Sequence, residues 1–319
     1  MIASALTESP NLSRLVSRYA IFGVLAILYV VAILVSEAFL QPGYVLNILR
    51  QVAPVGIAAI GVTFVMILGG VDLSIGAVIS FTSVICAVWM DGDAANLPVA
   101  VAVACLAGVA VGAFNGMVIA FSRVSPFILT LGVGLAVAGL TQMYSGGTAR
   151  GVVSPGFREF FNHRVGGLVP VLAIAFLGLA AAGHFVSRST LFGRRLFLIG
   201  SSPRAAALSG LPIRGTIVVA YALSGLAGAL AGIALLARSG VSNTLSGQGL
   251  EFQVLAAVVL GGTTFEGGRG GVAGTIGGVL VLVVSFNLVN ISGLPYHMQL
   301  IVMGAIIILA SAAYRRLGA

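Results

Sequence analysis

Asp72 and Ser74, in the run Gly69-Gly70-Val71-Asp72-Leu73-Ser74-Ile75-Gly76, place a carboxylate and a hydroxyl two residues apart within an otherwise apolar stretch. Such a pair supplies acceptors and a donor for the hydroxyl groups of a sugar-like solute at the point where a helix could begin. Asp72 can equally cap the helix that follows it, satisfying orphan amides, and the two roles are compatible. Gly69 and Gly70 interrupt the helix before it. In hydrocarbon an unpaired backbone group or a charged side chain is costly, so such a break is tolerated only where it faces protein or a water-filled path. Leu68-Gly69-Gly70 recurs as Leu260-Gly261-Gly262, again after a short apolar run and before a Gly-containing helix start. Interrupted segments at matching places in two halves point to a transport path; read singly, each Gly-Gly is a flexible helix end. Asn115, Gln142, Asn287, Asn290 and Gln299 are further polar groups in apolar stretches, suited to interhelical hydrogen bonds or to solute contact.

These residues sit in a chain whose composition defines its class. Of 319 residues 59% are apolar and 8% charged, with a mean hydropathy of +1.14, which implies an all-α polytopic membrane protein rather than a soluble core. The 44 glycines fit close helix packing, and Gly108/Gly112/Gly116, Ser224/Gly228/Gly232 and Gly270/Gly274/Gly278 each form a ladder on one face. All 16 basic residues are arginine. Without lysine there is no Walker A phosphate loop and no Schiff-base chemistry. The arginines lie between apolar runs instead of forming a basic block, so the net charge of +8 reflects membrane topology and not nucleic-acid binding. Cys86 and Cys105 lie in apolar segments and read as small buried hydrophobes.

At about 20 residues per crossing, ten runs qualify: Tyr19 to Leu40, Val52 to Leu68, Leu73 to Met90, Leu97 to Phe121, Pro126 to Tyr144, Leu168 to Val186, Thr216 to Ala237, Leu250 to Leu260, Val272 to Ile291 and Tyr296 to Ala313. The eighth is short enough for a half-helix. Ten crossings with both termini inside put Arg14, Arg18, Arg123, Arg188, Arg194, Arg195, Arg204, Arg214, Arg269, Arg315 and Arg316 on the cytoplasmic side, leaving Arg50, Arg150, Arg158, Arg164 and Arg238 outside, as the positive-inside rule requires. Residues 1–18 then form a cytoplasmic segment, 19–314 one transmembrane domain and 315–319 a cytoplasmic tail. The first run reads as an uncleaved helix and not a signal peptide.

The longest inner loop, 187–215, contains Ser202-Pro203-Arg204-Ala205-Ala206-Ala207-Leu208-Ser209-Gly210. N-cap serine, proline at N1, alanine-rich interior and terminal glycine predict a short surface helix. With Arg204 and an apolar tip, it is either a knob for a cytoplasmic partner or a connecting helix lying on the membrane.

The chain resembles the permease subunits of bacterial ABC importers for monosaccharides, the ribose, xylose, arabinose and galactose group. The resemblance runs from about Leu46 to Tyr314. It is carried by Gly69 to Gly76, by Leu191-Phe192-Gly193-Arg194 through Ile199-Gly200 to Gly210, by Tyr221 to Gly225, and by Glu251 through Gly261-Gly262 to Gly267-Gly268. It implies a fold similar to the cobalamin-type (type II-like) importers, with two pseudo-symmetric halves, in the bacterial inner membrane. It also implies a second permease copy (identical or a close paralogue), a cytoplasmic tandem ATPase that binds ATP and Mg, and a periplasmic sugar-binding protein, with no cofactor or metal on this chain and no catalysis by it. From the glycine breaks and embedded polar groups, Gly69, Gly70, Asp72, Ser74, Gly76, Asn115, Glu251, Gly261, Gly262 and Asn287 are expected to belong to the substrate pathway. On the resemblance, Arg194, Gly200, Ser202, Pro203, Arg204, Ala205, Ala206, Leu208, Ser209 and Gly210 belong to ATPase coupling. Two departures stand out: Gly200-Ser201-Ser202 replaces a common Gly-Gly-Asn, and Glu251-Phe252-Gln253 replaces Glu-Leu-Asp, which removes a carboxylate and weakens any assignment to ribose. An ion-coupled sugar transporter would need embedded ionisable groups, for which only Asp72 and Glu251 qualify. An intramembrane aspartyl protease would need a second carboxylate facing Asp72.

Overall fold

The computed structural model describes residues 10–293, together with 295, 297–301, 304, 305 and 308, with side chains from Ile21 onward. Arg14, Arg18, Arg315 and Arg316, and most of the predicted run Tyr296 to Ala313, therefore lie outside the described side chains. The described chain is helical: α1 (Pro10–Val35), α2 (Pro42–Ile67), α3 (Ile75–Met90), α4 (Leu97–Phe121), α5 (Pro126–Ser145), α6 (Pro155–Asn162), α7 (Val171–Ser189), α8 (Leu191–Ser201), α9 (Pro203–Leu208), α10 (Ile213–Ser239), α11 (Leu250–Leu260) and α12 (Val272–Ile291). A two-residue hairpin, β1 (Arg164–Val165) with β2 (Val169–Pro170), is the one sheet among the described residues.

Among the described residues, six segments are long and apolar enough to cross a membrane: α2, α4 with its preceding turn, α5, α7, α10 and α12. The apolar part of α1, α3 and α11 are shorter. The 11 residues of α11 rise about 16 Å, roughly half the hydrocarbon thickness. The rest of that path is turns and irregular backbone. Ser242 is bonded to Arg150 at one end of the bundle, Gly247 donates to Ser80 Oγ on α3 at 2.8 Å, and Gly268 bonds the end of α2 at the other end. Irregular backbone at this depth is satisfied by protein partners, as hydrocarbon demands.

Glycine sets the packing. α10 is the central helix, resting on α2, α3 and α4. The ladder on α4 meets α10: a Cβ on Gly112 would strike the Tyr221 carbonyl, and one on Gly108 would stand 2.8 Å from the Ala229 methyl. On α10, Ser224 faces Asp72 in the break before α3, Gly228 and Gly232 face α3 itself, and Gly274 and Gly278 of α12 face α11. Backbones approach this closely only where side chains are absent, and that approach supplies the dispersion contact that replaces hydrophobic drive inside a bilayer. The main apolar core, including Phe176, Leu172, Ile57 and Val258, joins α2, α7, α11 and α12. A second core around Cys86, Met90, Phe157 and Leu236 closes the other end. Cys86 is buried and both cysteines are free thiols. Large exposed side chains such as Leu34, Leu135 and Met143 are too many for an aqueous surface and suit lipid.

The helices begin and end close to the predicted runs, with four differences. α1 starts nine residues early, at Pro10. α2 starts ten residues early, at Pro42 in the N1 position, and carries Pro54 in its interior. The first run stops at Val35, where Ser36 caps a separate turn, Glu37–Leu40. The inner loop is mostly helical: α8 occupies Leu191–Ser201, capped by Thr190, which accepts from the Gly193 amide at 3.1 Å.

Candidate functional site

The break between α2 and α3 is a closed hydrogen-bonded structure. α2 ends in a Schellman turn: the Gly69 amide donates to Met66 O at 2.9 Å and the Gly70 amide to Val65 O at 3.0 Å, with Gly69 left-handed at φ +82°. This conformation is nearly free only to glycine. Gly70 is needed for space, because a Cβ there would stand 2.6 Å from the Tyr221 hydroxyl. That hydroxyl donates to Val71 O at 3.1 Å, and the Leu73 amide donates to Thr130 Oγ1 of α5 at 3.0 Å.

Asp72 is 1% exposed. Its Oδ1 accepts from the Ser74 amide at 3.0 Å and the Ser74 hydroxyl at 2.6 Å, and its Oδ2 accepts from Ser224 Oγ on α10 at 2.7 Å. Asn115 Nδ2 on α4 donates to Ser74 Oγ at 2.9 Å. Asp72 thus closes an Asx turn two residues on instead of filling the N-cap position itself, which Ser74 occupies without a side-chain bond. No ion pair holds the carboxyl group among the described residues; three hydroxyl and amide donors do, which is how a buried carboxyl group avoids an uncompensated desolvation cost. Asn115 Oδ1 is buried without a partner.

Of the residues expected in a pathway, Gly69, Gly70, Asp72, Ser74 and Asn115 come together here. Gly76 lies beside them at the start of α3, against the Gly247 carbonyl and the Glu251 carboxylate of α11, with no room for a Cβ. Gly261 and Gly262 are elsewhere, at the end of α11 against Gly274. Asn287 is also apart: its Nδ2 donates to Gln51 Oε1 at 3.2 Å, and Tyr44 donates to its Oδ1 at 3.2 Å, near the start of α2. The two Leu-Gly-Gly runs correspond with a shift of one residue. The left-handed residue is the first glycine in one, Gly69, and the second in the other, Gly262, and Thr263 takes the place of Gly70 by donating to Val258 O. The same turn also closes α5 and α9, so the turn alone does not distinguish these ends. Ser224, Tyr221 and Thr130 complete the site and were not singled out as polar partners; a hydroxyl replacing glycine in the Ser224/Gly228/Gly232 ladder was the available signal.

At the end nearest Gly69, α9 is capped as its sequence predicts, Ser202 Oγ accepting from the Ala205 amide at 3.3 Å and Gly210 left-handed at φ +70°. Ala206 faces inward, 4% exposed, whereas Leu208 is 86% exposed and Arg204 is also exposed. At the opposite end, Arg50, Arg158 and Arg238 line an open cavity of about 570 Å³ with Glu159 and Asn162.

A bundle of apolar helices interrupted around a buried carboxyl group has the architecture of a membrane transport protein. The chain belongs to the family described as branched-chain amino acid transport system / permease component, whose model matches residues 44–311. It is 36% identical to the ribose import permease protein RbsC of Bacillus subtilis (strain 168), covering 90% of this chain and 89% of that one. It is 31% identical to the D-allose transport system permease protein AlsC of Escherichia coli (strain K12), over 96% of this chain and 94% of that one. The galactose/methyl galactoside import permease protein MglC of the same organism is 32% identical, over 97% of each. No solved structure matches the chain.

Proposed function

We propose that this chain is the transmembrane subunit of an ATP-driven importer that carries a monosaccharide or related polyol into the cytoplasm by alternating access. The observation that carries this reading is the coexistence, at one end of the bundle, of a capped helix with an exposed apolar tip and, directly behind it, the helix break that leads to Asp72. The relatives named for ribose, allose and galactose support the solute class.

In this reading the bundle has ten crossings in a type II-like arrangement, both termini are cytoplasmic, and two copies, or this chain and a close paralogue, pair. α9 docks into a tandem ATPase, which holds ATP and Mg and supplies the free energy. The cationic cavity at the opposite end faces the periplasm, where its guanidinium groups suit acidic side chains of a sugar-binding protein. The hydroxyl and carboxyl groups around Asp72 exchange their mutual hydrogen bonds for solute hydroxyls as the break opens.

The test is uptake by proteoliposomes containing this chain, its ATPase and the loaded binding protein, offered labelled ribose, allose and galactose. ATP-dependent accumulation of one of these sugars is expected. Accumulation of branched-chain amino acids but no sugar would overturn the solute class.

A further inference from the structure

Three separate stretches of backbone meet behind α9, and each contact is made at a glycine. The Gly268 amide donates to the carbonyl of Ile67, the last residue of α2, at 2.8 Å. A Cβ on Gly200, near the end of α8, would collide with that same carbonyl and stand 2.6 Å from the Gly268 nitrogen. Gly267 is left-handed at φ +81°; a Cβ there would lie 2.8 Å from the Gly69 nitrogen and 3.0 Å from the Gly200 oxygen. A Cβ on Gly268, at φ +71°, would lie 2.8 Å from the Ser201 nitrogen and Cα. Arg188 of α7 reaches the same loop, donating to Gly270 O at 3.4 Å. The end of α8, the break after α2 and the loop after α11 are thus in direct backbone contact.

Covalent neighbours extend this junction in both directions. Ser202, the cap of α9, directly follows Ser201. Asp72, bonded to α10 through Ser224 and through Ser74 to Asn115 of α4, stands three residues after Gly69. Packed backbone has no rotamer to adjust, so it transmits a displacement where a side-chain contact would absorb it.

We infer that Gly200, Gly267 and Gly268 are positioning residues for transport. They fasten α8, α9 and the glycine break into one mechanical body, so that a movement of α9 is delivered to the hydrogen bonds of Asp72. This rests on the reading of α9 as the ATPase-docking helix.

The test compares Gly267→Ala with Gly166→Ala, the latter equally left-handed at φ +63° but with nothing within 4 Å of a Cβ. Both are purified with the ATPase and assayed with and without loaded binding protein. Gly267→Ala should retain the ATPase and its basal hydrolysis while stimulation and uptake fall by about tenfold or more, and Gly166→Ala should behave as wild type. Wild-type stimulation and uptake in an assembled Gly267→Ala complex would overturn the inference. Failure of the wild-type chain to bind any ATPase would instead remove the reading beneath it.

A second measurement covers the case in which Gly267→Ala does not fold. Spin labels are placed at exposed Leu198 and Phe265, and separately at Phe265 and Trp89, in a chain with Cys86 and Cys105 replaced by alanine. Between the nucleotide-free and ATP-trapped complexes the Leu198–Phe265 distance should hold while the Phe265–Trp89 distance changes. A change in the first pair, or none in either, would overturn the inference.

Discussion

At the residue scale, the account turns on a carboxyl group whose partners are all short polar side chains and backbone. Ser224→Ala leaves Asp72 Oδ2 buried without its donor, a loss of about 1–3 kcal/mol. Thermal unfolding in detergent should show that cost, and Ser239→Ala, whose exposed hydroxyl bonds only backbone groups within four residues, should not. Asp72→Asn is milder for folding, because its amide oxygen can still accept from both Ser74 groups and the Ser224 hydroxyl can turn to accept from its amide. Assembly should therefore persist while uptake drops; uptake at the wild-type rate would show that the carboxyl group has no part in transport. Sequence alone exposed Asp72 and Ser74, since a carboxylate beside two glycines in apolar sequence is conspicuous. It did not expose Ser224 as the partner of Asp72, nor Tyr221 and Thr130 as partners of the Val71 and Leu73 backbone, because those contacts depend on which helices meet, and one hydroxyl per helix is ordinary.

At the scale of the elements, the glycine ladders carry the packing, and position decides what each glycine is for. Gly112→Ala forces α4 away from the Tyr221 carbonyl on α10 and should destabilise by about 1–3 kcal/mol, the usual cost of overpacking. Gly132→Ala, on α5 with nothing within 4 Å of a Cβ, should be neutral or stabilising by up to about 1 kcal/mol. Unfolding midpoints of the two variants check both; equal midpoints would mean that the ladder does not set the helix separation. Helix positions were legible because about 20 apolar residues in a row have few other uses. The start of α2 was missed because Arg50 and Gln51 look like loop residues, whereas here they sit beside Arg238. α8 was missed because its arginines and glycines interrupt the apolar run; the face it buries consists of Gly193, Leu196, Ile199 and Gly200.

At the scale of the whole molecule, the claim is that force enters at α9 and is spent at the glycine break. Exposure separates the roles within α9. Arg204→Glu and Leu208→Glu should leave the chain folded but unable to retain its ATPase, and co-purification from membranes would show the loss. Ala206→Glu places a charge at a buried position and should lower the yield of folded chain itself, which size-exclusion of the permease alone would reveal. If both exposed variants hold the ATPase as wild type does, α9 is only a connecting helix. The most direct test of the account is to purify the chain from its native membrane with whatever remains bound, and to measure ATP hydrolysis by that complex as sugar-loaded binding protein is added. The account predicts a bound tandem ATPase whose turnover rises with the loaded binding protein. A chain that purifies alone and still moves sugar along an ion gradient would contradict it.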